Sequence, residues 1–412
     1  MIKANNHRKD ASYINRLNKI EVLRLIRDSG EISRADIVKK TKLSAPTVTR
    51  ITDNLINDKL AVMVGEGNST GGRPPKLIRF DGTHNYVIGI DLGSTSIRGV
   101  ICNLNGVFIT EIETPTDLDG GFEQICIQVG QLITKLIDRS KLEKEKIMGV
   151  GLAVAGLINN ESGIIEYSPV FGWWKVNLKT ELKKHIPKNL PIFYDNVSRL
   201  TALGEMLYGV GKKFKHFICV NVGYGIGAGI IINGMPLYGS QGFTGEFGHV
   251  VLDSDSQYVG KDGIKGCLEA LSSGYGVAEI AKQRLKKGEK SILTKDKRID
   301  EVSAKDIVDA AREGDALSKE IFDSAMHYLG LGIDTLIKLF NPQAVVLSGG
   351  LTKNGDIFFD KLKHNTFKNI LHPVEDRVEI LPSSFKDDAT LIGAFSLIIS
   401  KVFQFESEEL EA

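Results

Sequence analysis

A chain of 412 residues with 42% hydrophobic and 25% charged side chains has a globular composition, and it is longer than one core ordinarily serves, so two or three domains are expected. No apolar run reaches the roughly 18 residues of a membrane span, residues 1–10 lack the apolar core of a signal peptide, and Cys102, Cys126, Cys219 and Cys267 are too scattered for a disulfide framework, so the expected address is cytoplasmic. The net charge of +1 hides a division: residues 1–80 hold 16 Lys and Arg against 8 Asp and Glu, a balance of +8 that leaves −7 for the remainder, which points a polyanionic partner at the head alone.

Three helical patterns open the chain. Residues 15–27 place Leu17, Ile20, Leu23, Leu25 and Ile26 on a broad apolar face, Ser33 caps a second helix that buries Ile37 and Val38, and Ser44 caps a third over residues 45–56 with Pro46 in its first turn. Val48, Ile51, Leu55 and Ile56 share one face of that third helix and leave Pro46, Arg50 and Asp53 on the other. Residues 60–64 and 76–80 read as strands joined by a glycine-rich tip that carries Arg73. Two helices around a tight turn followed by a hairpin describe a winged helix-turn-helix over residues 1–80. Ser44, Thr47, Thr49, Arg50 and Arg73 are the candidate DNA contacts, Thr47 and Arg50 for base edges, with Lys39, Lys40 and Lys42 placed for phosphates.

From residue 85 strands alternate with helices. Two apolar hairpins turn through polar or glycine-rich tips, Asp91-x-Gly93-x-Thr95 and Gly223-Tyr-Gly225, and neither tip opens a helix, so neither is a Walker loop or a dinucleotide fingerprint. Two such hairpins some 130 residues apart suggest a duplicated domain closing on a cleft. Between them, residues 190–205 read as a strand ending at Asp195 and Asn196 and running into a helix, the kind of corner where α/β proteins place ligands.

The two hairpins and Val345-Val-Leu-Ser-Gly349-Gly350 together resemble the phosphate and nucleotide elements of the actin-like, sugar-kinase fold. Gly245-Glu-Phe-Gly-His249, Gly266-Cys-Leu-Glu269 and Ala202-Leu-Gly-Glu205 narrow the resemblance to the ROK family, which holds both sugar kinases and transcriptional repressors; the head, with Gly71-Gly-Arg-Pro74, resembles the repressor branch of the xylose and N-acetylglucosamine type. The resemblance implies an α/β body in two actin-like lobes, residues 83–196 and 197–386, with a C-terminal helix near 387–405 packing back on the first. It implies sugar contacts from Asn196, Glu246, His249 and Glu269, and a vestigial nucleotide site at Asp91, Gly93, Thr95, Gly223, Gly225, Gly349 and Gly350. An aromatic wall for the sugar from Phe171-Gly-Trp-Trp174 is the alternative to a core role for those rings.

Three departures from the family pattern bear on activity. The kinases' catalytic Asp falls at Val197, which accepts no proton, and Asp195 should point the other way along an extended chain. Tyr224 stands where a small residue would adjoin the terminal phosphate. Gly260 and Asp262 occupy two of the zinc-ligand cysteine positions, leaving His249, Cys267 and Asp262, short of a closed four-ligand site. The expectation is therefore a non-enzymatic, sugar-responsive repressor without catalytic residues or structural zinc, binding operator DNA as a homodimer or homotetramer, with a xylose-type effector the nearest match. The alternative is an ATP-dependent sugar kinase with a regulatory head.

Overall fold

A computed structural model describes residues 11–67, 74–295, 297–368 and 370–403. The head comprises α1 (Ala11–Ser29), β1 (Glu31–Ser33), α2 (Arg34–Thr41), α3 (Ala45–Asn57), β2 (Ala61–Glu66) and β3 (Lys76–Phe80). The Ser33 hydroxyl accepts the Asp36 N–H and Ser44 that of Thr47, so both helices of the helix-turn-helix start on side-chain caps. Between them Lys42 adopts the left-handed conformation that ends α2 and makes the turn tight. Val48, Ile51, Thr52 and Leu55 are the buried face of α3. The wing is an antiparallel sheet in the order β1-β3-β2, whose third strand, β1, is too short to show as a pattern in the sequence.

The body repeats one sheet plan twice. The first sheet contains β4 (Tyr86–Leu92), β5 (Ser96–Asn103), β6 (Phe108–Pro115), β7 (Ile147–Val154) and β11 (Ile192–Asn196) in the order β11-β7-β4-β5-β6, with α4 (Gly121–Ser140) packed on it. A small sheet of β8 (Leu157–Ile158), β9 (Ile164–Ser168) and β10 (Trp173–Asn177), followed by α5 (Leu178–Leu182), lies between β7 and β11 in the chain. Helix α6 (Val197–Tyr208) leads out of β11. The second sheet contains β12 (Phe217–Val222), β13 (Ile226–Ile232) and β14 (Met235–Pro236), and after the helices α7 (Leu268–Ser272), α8 (Gly274–Lys286), α9 (Ala304–Arg312) and α10 (Ala316–Phe340) it is completed by β15 (Ala344–Ser348) and, beyond α11 (Asp356–Phe367) and α12 (His372–Glu375), by β16 (Glu379–Pro382). Its order is β14-β13-β12-β15-β16. In each sheet a hairpin pairs antiparallel, a third strand covers its outer edge, and two parallel strands extend the other side. This is the duplication that the paired hairpins foretold.

Helix α13 (Ala389–Phe403) crosses back over β4 and β7 and lies against α6. The approach is close because glycines line it: a Cβ on Gly151 would fall 1.8 Å from the Ala394 carbonyl oxygen, and one on Gly393 2.2 Å from that of Leu200. The other face of α13 continues into the head. Phe395 and Leu391 belong to the same buried cluster as Val22, Leu23, Ile26 and Leu55, together with Val87, Val100 and Cys102 of the first sheet. Head, first lobe and α6 are thereby joined through one helix.

Candidate functional site

The corner between β11 and α6 is built as a cap. Asn196 has extended backbone (φ −63°, ψ 136°), its side-chain oxygen accepts the Ser198 N–H at 2.8 Å, and its Nδ2 donates to the Gly156 carbonyl at 3.1 Å. Those contacts use one lone pair and one N–H of the carboxamide, leaving one of each for a ligand. Val197 opens α6 and packs on the apolar group of Ala153, Leu200 and Leu203. Asp195 is 1% exposed, and its Oδ1 accepts from Arg199 Nε at 2.9 Å and Nη2 at 2.7 Å. The other oxygen, Oδ2, is buried without a hydrogen-bond partner among the described residues. Arg199 was not singled out by sequence reasoning, although its spacing four residues after Asp195 was the available signal. It also donates from Nη1 to the Thr244 carbonyl at 3.0 Å and stacks 5.4 Å from the Tyr238 ring centroid, which ties the corner to the next group of residues.

That group contains Glu246, His249 and Glu269. His249 Nε2 lies 3.5 Å from Glu246 Oε2, and its Nδ1 lies 2.5 Å from Asp262 Oδ2. Glu269, in the first turn of α7, accepts the Ile226 N–H on Oε2 at 3.0 Å. Gly225 makes room for that carboxylate, since a Cβ there would fall 2.4 Å from Oε2. Burial holds both carboxyls above their ordinary range; His249 and Arg199 draw Glu246 down, and the Ile226 N–H and His249 draw Glu269 down, without overcoming the desolvation. Two half-buried carboxylates, an imidazole and a carboxamide are a donor–acceptor set suited to vicinal hydroxyls. Trp173 is not available to them: it is buried, stacked on Phe171 at 4.4 Å and edge-on to Phe122, whereas Trp174 is exposed beside Tyr167. Of the two readings of these rings, the core role holds for Phe171 and Trp173, which pack on the first-lobe core.

At the first hairpin tip Gly93 N–H donates to Ser96 O, while Thr116 bonds Gly93 O and Thr95 O. Asp91 is the penultimate residue of the strand before it, and burial pushes its carboxyl from 3.8 up to about 6 against the pull of Arg98. The second tip, Gly223 to Gly225, is fastened to the start of α8, whose Gly274 and Tyr275 N–H groups donate to the Gly223 and Tyr224 carbonyls. The Tyr224 ring packs against Tyr275, and the Lys261 ammonium stands 5.2 Å from its centroid. Gly349, with φ +99°, and Gly350 follow β15. Next to them Lys353 pairs with Asp387, and Arg98 bonds Asp388 at 2.8 Å and Glu111 at 2.6 Å, so charged contacts join the segment after β15, the turn just before α13, β5 and β6.

In the head, Ser44 is occupied as a cap and its hydroxyl lies 2.8 Å from that of Thr47. Thr49 is half-buried and Arg50 exposed, with Arg50 Nη2 donating to Asn15 Oδ1 at 2.7 Å. Asp53 on the same face is paired with Arg34 of α2. Lys39, Lys40 and Lys42 are exposed at the end of α2. Arg73 lies outside the described residues.

A family model described as "ROK family" matches residues 87–401, and one described as "Winged helix-turn-helix DNA-binding" matches residues 16–60. The chain is 30% identical over 392 residues to the xylose repressor of Caldicellulosiruptor bescii, covering 95% of this chain and 98% of that one. To the glucokinase of Halalkalibacterium halodurans it is also 30% identical, over 314 residues, 76% of this chain and 94% of that one. Among solved structures, a ROK family transcriptional regulator described as a homolog of the Escherichia coli MLC protein superposes with a TM-score of 0.81 at 26% identity, covering 95% of this chain and 97% of that one. The glucokinase likeness stops at the body, whereas the two regulators match head and body together. Among the described residues no helix is long and apolar enough to cross a membrane. With its body matched almost end to end and a winged helix-turn-helix in front of it, the chain belongs to the ROK family.

Proposed function

We propose that the chain is a sugar-responsive transcriptional repressor, whose head binds operator DNA and whose body binds a sugar between its lobes without phosphorylating it. The observation that carries this reading is the state of the corner at residues 195–197. Val197 offers no proton acceptor, and Asp195 is committed to Arg199 at 1% exposure, so neither is placed to deprotonate a sugar hydroxyl. Asn196, Glu246, His249 and Glu269 supply the sugar contacts, and a pentose or hexose pyranose is the effector class, xylose first among those to test because of the xylose-repressor relatives.

The packing offers a route for the switch. A sugar drawing Glu246 and Glu269 toward Asn196 acts on α6; α6 lies on α13, and α13 shares its buried cluster with the head. Two copies of the chain present two heads to two half-sites, and a tilt of α13 changes their separation. A coupling of about 1–3 kcal/mol alters operator affinity roughly 5- to 150-fold. A thermal-shift screen of xylose, glucose, N-acetylglucosamine, mannose and fructose, with and without MgATP, tests the binding half; a coupled ADP assay on the same sugars tests the absence of transfer. Turnover by the wild-type chain would refute it. Phosphorylation appearing only in Val197→Asp would place the missing base.

The kinase alternative draws support from the retained Asp91, Gly223 and Gly225 and the glucokinase relative. Sugar-dependent ADP release would establish it.

A further inference from the structure

Residues 250–267 form an excursion from the second lobe that is fastened by its own backbone. Val251 bridges Cys267 and Val259 bridges Lys265, while Leu252 donates to Gly266 and Leu268 to Val250. At its tip the Asp262 side chain is 6% exposed. Its Oδ1 accepts the Ile264 N–H at 3.0 Å, and its Oδ2 lies 2.5 Å from His249 Nδ1, beside the ring nitrogen and not squarely on its hydrogen-bond axis. A carboxylate buried to this degree needs a partner of opposite or donating character, and the imidazole provides one.

The family resemblance implies zinc at this place, and the residues present do not fit it. A Cβ on Gly260 would fall 2.9 Å from Cys267 Sγ and 2.7 Å from Asp262 Oδ1, so position 260 reaches into the cluster but brings no ligand. Cys267 is buried, which pushes its thiol up, and its sulfur caps α7 by accepting the Ala270 N–H. His249, Cys267 and Asp262 supply three donors, and Gly260 has no side-chain atom to complete the closed four-ligand set that a structural zinc site uses.

We propose that Asp262 is a positioning residue for His249. Its carboxylate oxygen, 2.5 Å from Nδ1 without a hydrogen bond of regular geometry, favours the tautomer that carries the proton there, and this leaves Nε2, on the Glu246 side, as the ring's acceptor for a sugar hydroxyl. The contact takes over the orienting role that a metal would have. This rests on the reading of Glu246, His249 and Glu269 as sugar contacts.

The full-length chain and its Asp262→Ala, Asp262→Glu and Glu269→Gln variants are titrated calorimetrically with xylose, glucose and N-acetylglucosamine. Alongside, nitrogen-15 spectra of histidine-labelled protein report the His249 tautomer, and elemental analysis reports zinc. Expected are substoichiometric zinc, an Nδ1-protonated His249 that loses its tautomer preference in Asp262→Ala, sugar affinity about 10- to 100-fold weaker in that variant, and partial recovery in Asp262→Glu. The double variant Gly260→Cys, Asp262→Cys should take up one zinc per chain and regain sugar binding. Stoichiometric zinc on the wild-type chain, or unchanged sugar affinity in Asp262→Ala while Glu269→Gln loses it, overturns the proposal. If no sugar binds the wild-type chain, the sugar-site reading fails by itself, and the tautomer decides on Asp262: its loss in Asp262→Ala supports the proposal, and its persistence overturns it.

Discussion

Asp91 gives a prediction whose size follows from its surroundings. Burial raises its carboxyl from 3.8 to about 6, so in the folded chain the neutral form is favoured relative to the unfolded one. The stability that this group lends below pH 3.8 is lost as pH rises through about 6. At about 1.4 kcal/mol per unit, the ionised carboxylate costs at most about 3 kcal/mol at neutral pH, and the side chain's partial access to solvent lowers that toward about 1–3 kcal/mol. Asp91→Asn removes the charge at constant shape. The variant should be more stable than wild type by that amount at about pH 7.5, with the gain smaller at about pH 5 and gone below 3.8. Urea denaturation of both proteins at the two pH values measures it. A gain that does not vary with pH, or a loss at about pH 7.5, would show that Asp91 is not held ionised against a desolvation cost. On the reading of Asp91 as part of a vestigial nucleotide site, any stabilisation of the wild-type chain by MgATP should be smaller in Asp91→Asn.

Arg199→Met leaves Asp195 buried and unpaired and should lower unfolding free energy by about 3–5 kcal/mol, with Asp195→Asn in the same chain recovering part of it; a small loss in urea denaturation would mean the pair is solvated. Glu246→Gln and Glu269→Gln each remove a carboxylate whose raised pKa makes its ionised form a cost to the fold. Both should therefore raise the sugar-free melting temperature at neutral pH, where that cost is present, and gain nothing below about pH 4.5, while abolishing the sugar-induced shift. Ser44→Ala removes the cap of α3 and should destabilise the head by about 1 kcal/mol, visible in a head-sensitive fluorescence probe. Arg50→Ala should relax base preference in a selected-duplex assay, whereas Lys40→Ala should weaken all sequences alike and reduce the salt dependence by about one unit of slope.

The parts of the fold written in local spacing were legible in the sequence. The third helix of the head announced itself by Ser44, Pro46 and the apolar positions Val48, Ile51 and Leu55, and the duplicated sheets by their two hairpins. The strand–helix corner was equally plain, since Ile192–Asn196 and Val197–Tyr208 differ in period and composition. What was not legible depends on contacts between distant segments. Strand β1 exists because Ile32 finds Ile78 across the sheet, not through any pattern of its own three residues. The Arg199 bond to Thr244 O and the Asp262 approach to His249 are made by loops whose paths no periodicity describes. Asn196 illustrates the limit in another way: its residue type fits both a ligand contact and a helix cap, and the fold uses it as a cap first.

Operator binding as a function of sugar tests the central claim most directly. Duplexes selected from random sequence by the full-length chain are titrated by fluorescence anisotropy with and without the sugar that shifts its melting temperature. The account predicts affinity lowered roughly 5- to 150-fold at saturating sugar, with Glu269→Gln bound to the same duplex and unresponsive. Operator affinity unchanged at saturating sugar, or sugar-dependent ADP release by the wild-type chain, would contradict it.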